Sequence, residues 1–163
     1  MNEIKSEKMA LKAGDKAPDF ERFNQEGKMV RLKDLKGKRV ILFFYPKDMT
    51  EGCTAEVCNL RDNYSSLKKK GFVLLGISAD PVKSHVKFIG KYSLPFDLLA
   101  DEDLAMCNAY GVWGEKQLFG RKYMGIIRRT FLIDANGKIE HVIDKVDTAN
   151  HSEQIMEIIK ENR

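Results

Sequence analysis

Six apolar residues stand in a row at Val40, Ile41, Leu42, Phe43, Phe44 and Tyr45, in a chain that elsewhere mixes charged and apolar positions. The run is too short for a core helix and has no polar face. It is rich in strand formers, so it predicts a strand buried on both sides. Residues 72–77 (FVLLGI) and 130–133 (TFLI) repeat the pattern. After the third run come Asp134, Ala135, Asn136 and Gly137, then a strand-like stretch over 138–146. An Asn-Gly pair between two such segments predicts a hairpin.

Helical spacing fills the gaps. Val57, Leu60, Tyr64 and Leu67 predict a helix over 54–70, ended by Gly71. Asp80 reads as an N-cap with Pro81 at the first helical position, ahead of the stripe Val82, Val86 and Ile89. Residues 103–110 form a short helix candidate. Asn150 and Glu153 resemble a capping box before Ile155, Ile158 and Ile159. The order strand, helix, strand, helix, hairpin, helix implies an α/β fold with a parallel core and an antiparallel edge pair. A thioredoxin-like sandwich, a mixed central sheet flanked by helices, has this order; the pattern alone does not single it out.

At 163 residues, with 43% hydrophobic and 32% charged positions, the chain can build a single core without metal or disulfide staples. Residues 1–8 read as a polar extension and 9–163 as one domain. The net charge of +4 rests partly on Lys68, Lys69 and Lys70 and on the stretch 36–39, which read as solvated faces. No basic-and-aromatic pattern accompanies them, so no nucleic-acid partner is expected. Residues 1–12 hold no apolar secretory core, and no stretch is long enough to span a bilayer. The expected location is the cytoplasm, where a disulfide is more often catalytic than structural.

That expectation gives weight to three cysteines, at 53, 58 and 107. Cys53 follows the loop Pro46-Lys47-Asp48-Met49-Thr50-Glu51-Gly52 off the end of the first buried strand, with a helix starting at or just after it. Strand ends of this kind carry the active sites of parallel α/β sheets. A helix N-terminus presents free N–H groups that favour a thiolate. Cys53 lies four residues before Val57, in phase with the apolar stripe, so it points inward. The alternative is a small buried hydrophobe. Zinc is a poor reading, because no second Cys/His pair has ligand spacing. His85, His141 and His151 are scattered, each expected at the surface or half-buried. The Cys-x-x-Cys of a thioredoxin-type reductase is absent. Cys107 reads as a packed core thiol.

The segment 44–63, FYPKDMTEGCTAEVCNLRDN, resembles the active-site signature of the peroxiredoxins, with Pro46, Thr50 and Cys53 in place. Cys58, five residues after Cys53, is similar to the branch called bacterioferritin comigratory protein or peroxiredoxin Q. Residues 11–20, 111–116 and 125–134 resemble the family as well. The resemblance implies a thioredoxin-like fold and a thiol peroxidase without cofactor or metal, acting as a monomer. Cys53 would attack the peroxide and become a sulfenic acid. Thr50 would hydrogen-bond thiolate and peroxide, and Pro46 would wall the pocket from water. Arg128 would stabilise the developing negative charge. Neighbours along a strand face opposite ways, so only one of Arg128 and Arg129 can reach Cys53, and the resemblance selects Arg128. Glu56, one turn after Cys53, would pair with Arg128 and orient it; otherwise it is a solvated helix carboxylate.

The resemblance further implies that Cys58 condenses with the sulfenic acid, and that thioredoxin or a similar dithiol protein reduces the resulting disulfide. Five residues of helix hold two Cα atoms roughly 8–9 Å apart, beyond the ~7 Å a disulfide tolerates. The helix start would therefore have to unwind. Two rivals remain at this level: a one-cysteine peroxidase with a structural Cys58, and a non-enzymatic redox sensor.

Overall fold

The computed structural model describes residues 10–161; the polar extension expected over 1–8 lies outside them. In chain order the elements are β1 (Glu21–Phe23), β2 (Met29–Arg31), β3 (Arg39–Phe44), α1 (Glu51–Asp62), α2 (Tyr64–Lys69), β4 (Phe72–Ser78) and α3 (Val82–Tyr92). Then follow β5 (Asp97–Ala100), α4 (Ala105–Ala109), β6 (Trp113–Leu118), β7 (Arg121–Ile126), β8 (Arg129–Ile133), β9 (Ile139–Ile143) and α5 (His151–Glu161).

Five strands form the central sheet in the order β5-β4-β3-β8-β9. β3, β4 and β5 are parallel; β8 and β9 run antiparallel to their neighbours. This is the parallel core with an antiparallel edge pair that the hydrophobic pattern implies. Alternation along β3 explains its unbroken apolar run. Val40, Leu42 and Phe44 pack on one face with Leu75, Ile77, Phe131 and Tyr110, while Ile41, Phe43 and Tyr45 pack on the other with Cys53, Val57, Leu60, Phe88 and Ile155. Both faces are covered, so neither needs a polar stripe. At Gly76 an added Cβ would lie 2.6 Å from Phe43 Cζ and 2.7 Å from Leu98 Cδ2, so only glycine lets β3 and β5 side chains meet across β4.

Several local expectations need correction. The helix expected over 54–70 starts earlier, at Glu51, and breaks at Asn63, whose side-chain amide donates to the Asn59 carbonyl at 2.9 Å. An Asn side chain bonded this way competes with regular helix hydrogen bonding. Pro81 is itself the N-cap of α3. Asp80 is not, because its carboxylate is taken by the Asp48 N–H and the Ser78 hydroxyl. Asn150 does not open α5: it closes a short 3-10 turn, Thr148–Asn150, and its N–H donates to Asp147. Glu153 accepts from Asn59 rather than closing a capping box.

The β6–β7 hairpin has no counterpart among the elements the sequence pattern predicts. Its strands pair from Trp113↔Ile126 to Leu118↔Arg121 around Phe119 and Gly120, both at positive φ (52° and 78°). That is the two-residue, left-handed turn that matches strand twist. With Phe in place of the usual Asn or Asp at its first position, the sequence gives little warning of it.

Candidate active site

The site begins where β3 runs out. The Tyr45 N–H still pairs with the Ile77 carbonyl at 3.0 Å, and the chain then turns through Pro46 to Thr50. Asp48 anchors this turn. Its buried carboxylate accepts from the Tyr45 hydroxyl (2.6 Å) and the Ser84 hydroxyl (2.8 Å), and faces His85 Nδ1 at 2.8 Å. The other ring nitrogen of His85 meets the Leu99 carbonyl at 3.0 Å. His85 is fully buried, contrary to the exposed or half-buried placement expected, because it bridges the turn after β3 to β5.

Thr50 is the N-cap of α1, and the first helical hydrogen bond runs from the Thr54 N–H to the Thr50 carbonyl at 2.9 Å. Cys53 therefore sits in the first turn, among the backbone N–H groups that have no partner within a helix. The expected bond from the Thr50 hydroxyl to the cysteine is not made; that hydroxyl donates to the Lys47 carbonyl at 2.7 Å and closes the loop. Pro46 is half-buried beside it.

Cys53 is fully buried. Arg128 Nη2 donates to its Sγ at 3.4 Å, and Arg128 Nη1 donates to Glu56 Oε1 at 2.7 Å. One guanidinium thus spans the thiol and the carboxylate. Arg128 leaves the short link between β7 and β8, which is tied down by the Ile127 N–H on the Val112 carbonyl at 2.6 Å. A Cβ at Gly52 would stand 3.2 Å from Arg128 Nη2, so a glycine before the cysteine admits the guanidinium. Arg129 faces away, pairing with Asp144 at 2.6 Å and the Gly111 carbonyl at 3.3 Å. Burial works against the charge of Arg128, but Glu56 and Cys53 outweigh it and raise its pKa. Glu56 is pushed up to about 7, chiefly by burial, with Arg128 pulling the other way.

Two neighbours escaped the sequence reading. His151, the first residue of α5, is fully buried, with Nε2 2.8 Å from Thr130 Oγ1 and 3.7 Å from Glu56 Oε2. Lys116 on β6 donates to the Ile126 carbonyl at 2.8 Å, and burial followed by the nearby Arg128 lowers its pKa. No spacing rule links either residue to Cys53; each is delivered by a separate element.

Cys58 is half-buried and free on α1, outside this cluster of contacts. Cys107 is also free, buried on the opposite face of the sheet from Cys53, and its thiol pKa is raised strongly by burial and by Asp101. A thiol so held is a poor nucleophile. Among the described residues, no group of three or more His, Cys, Asp or Glu side chains could hold a metal ion. No described helix is long and apolar enough to cross a membrane.

A thioredoxin-like sheet with a buried cysteine in the first turn of the helix after β3, and an arginine donating to its sulfur, defines a thiol-based redox enzyme. Residues 13–142 match the model of the AhpC/TSA family. The chain is 51% identical over 152 residues to peroxiredoxin Bcp of Escherichia coli K12, covering 93% of this chain and 97% of the relative. It is 42% identical over 153 residues to peroxiredoxin Bcp of Bacillus subtilis, covering 94% and 98%. The solved structure of Xanthomonas campestris bacterioferritin comigratory protein, described for its alkyl peroxide reduction activity, superposes with a TM-score of 0.84. It is 32% identical, over 92% of this chain and 98% of that one. The chain belongs to the AhpC/TSA family, as a peroxiredoxin of the Bcp and peroxiredoxin Q branch. It is a thiol peroxidase with an antioxidant role.

Proposed function

We propose that Cys53 is the peroxidatic cysteine and that Cys58 resolves it. The observation that carries this reading is Arg128 donating to Sγ of Cys53, a thiol at a helix N-terminus. The thiolate attacks the proximal peroxide oxygen, the O–O bond breaks, and the leaving oxygen departs as hydroxide or alkoxide and takes a proton. Cys53 becomes the sulfenic acid. Arg128 stabilises charge at both the attacking sulfur and the leaving oxygen. Thr50 and Pro46 shape the entrance; the Thr50 hydroxyl needs only to exchange the Lys47 carbonyl for the peroxide to take part.

The Cys58 thiolate then attacks the sulfenic sulfur and expels hydroxide, which leaves as water, forming the 53–58 disulfide. A dithiol protein, thioredoxin by its chemistry, reduces that bond by exchange through a mixed disulfide. The reading extends to a monomer in the cytoplasm, acting on hydrogen peroxide and organic hydroperoxides, with no nucleic-acid or membrane partner.

Mass analysis under non-reducing conditions tests the resolving step. After one equivalent of peroxide, the protein should lose two hydrogens, and Cys58→Ser should instead gain oxygen on Cys53. Gain of oxygen in the unmodified protein, with no disulfide, would leave a one-cysteine peroxidase in its place.

A further inference from the structure

The turn between β3 and α1 holds one residue in a conformation that side chains rarely adopt. Met49, between Asp48 and Thr50, has a φ of 69°, in the left-handed region. Such a residue persists only where its surroundings over-determine it. Here the constraint is hydrogen bonding on both sides. After Met49, the Thr50 hydroxyl closes back on the Lys47 carbonyl. Before it, the Asp48 N–H is held by Asp80, and the Asp48 carboxylate by Tyr45, Ser84 and His85.

His85, from α3, also reaches beyond the turn. The Leu99 carbonyl, 3.0 Å from Nε2, can only accept, so Nε2 carries a hydrogen. Nδ1 and Asp48 Oδ2, 2.8 Å apart, share another. Both side chains are out of water, at 0% and 1% exposure. A hydrogen bond to a buried carboxylate is among the stronger ones in a protein. One imidazole ring thus ties the Met49 turn to a backbone carbonyl of the central sheet. The same turn starts at Pro46 and ends at Thr50, which caps the helix that carries Cys53. Both ring nitrogens of His85 are occupied by Asp48 and Leu99, so its influence on the site passes through Asp48.

We propose that His85 is a positioning residue of the peroxidase site: through its bond to Asp48 it holds the Met49 turn, and with it Pro46 and the Thr50 hydroxyl, where they meet peroxide. It acts on the step with peroxide and not on formation of the thiolate, which the helix N-terminus and Arg128 favour. The proposal rests on Cys53 being the peroxidatic cysteine.

Two substitutions separate the two bonds of the ring. In His85→Asn the amide nitrogen takes the place of Nδ1 and keeps the bond to Asp48. In His85→Gln it takes the place of Nε2 and keeps only the bond to Leu99. Two rates are measured on the reduced proteins, each folded by circular dichroism: oxidation of Cys53 by hydrogen peroxide, and alkylation of Cys53 by iodoacetamide, read on the peptide that contains it. His85→Gln should lose about ten- to a hundredfold in the peroxide rate, the order that a small misplacement of a reacting group costs. Its alkylation rate should stay within about threefold of the wild type, since alkylation needs only the thiolate. His85→Asn should keep most of both rates. Loss of both rates together in His85→Gln, or equal peroxide rates in the two variants, would overturn the proposal and leave the ring as core packing. If His85→Gln does not fold, Asp48→Ala takes its place with the same expected loss, because it deletes the anchor and leaves the His85–Leu99 bond. An unchanged peroxide rate there would also overturn the proposal. Failure of the Cys53 reading shows elsewhere, as a Cys53→Ser protein that still consumes peroxide, so the two failures are distinguishable.

Discussion

Arg128 and Arg129 are adjacent in sequence and opposite in use. One donates to the Cys53 sulfur and to Glu56; the other pairs with Asp144 on the far side. Losing a preorganised donor to a developing oxyanion typically costs about a hundred- to a thousandfold in rate. Arg128→Met should lose on that order in the second-order rate with peroxide, and Arg129→Met should stay within about tenfold of the wild type, both read by stopped flow. Equal losses would remove Arg128 from the reaction. Two other residues set a pH signature for stability. Glu56, raised to about 7, favours its protonated form in the fold, so its contribution is lost as pH rises toward 7. His151, lowered to about 4, favours its neutral form, so its contribution is lost as pH falls toward 4. The slopes oppose each other over the range they share. Glu56→Gln removes one of them, so urea midpoints of that variant should rise with pH between about 4 and 6.5 more steeply than the wild type. Parallel profiles would show that the two groups do not titrate as described.

Helix α1 carries both the N-terminus beside Cys53 and the two cysteines of the proposed disulfide. It is continuous through Cys53 and Cys58, and both thiols are free. A disulfide between residues five apart in a regular helix exceeds the span its geometry permits, which is roughly 7 Å between Cα atoms. Reduced and oxidised enzyme cannot share this helix. Amide exchange should show residues 53–62 protected in the reduced form and exposed in the disulfide form, with α3 and the central sheet unchanged. Strong, equal protection in both, with the disulfide confirmed by mass, would contradict the unwinding of α1. The early break at Asn63 shortens the segment that must open, since α2 begins a separate hydrogen-bonded unit.

Across the whole molecule, legibility follows burial. The β3 run was readable because both its faces are covered, and the pairing of β8 with β9 because Asn136 and Gly137 mark their turn. The β6–β7 arm was not, because its strands are largely exposed and its turn opens on Phe119, which is 94% exposed. Within the site, Cys53 could be found from the strand-loop-helix pattern and the spacing to Val57. Arg128 needed a family resemblance, since parity alone chose neither arginine. His151 and the Asp48–His85 anchor were invisible: a histidine at a polar helix start looks exposed until the tertiary fold buries it. Capping residues failed for a related reason. Asp80 had a better partner, the Asp48 N–H, than the helix beside it.

If the Cys53 sulfur is the nucleophile that takes the peroxide oxygen, single-turnover consumption of peroxide by the pre-reduced protein measures it without depending on any added reductant. The wild type should consume a stoichiometric amount of hydrogen peroxide rapidly, and Cys107→Ser should match it. Cys53→Ser, folded by circular dichroism, should fall to the uncatalysed background, because a serine hydroxyl does not ionise at neutral pH. Consumption by Cys53→Ser at the wild-type rate would contradict the account.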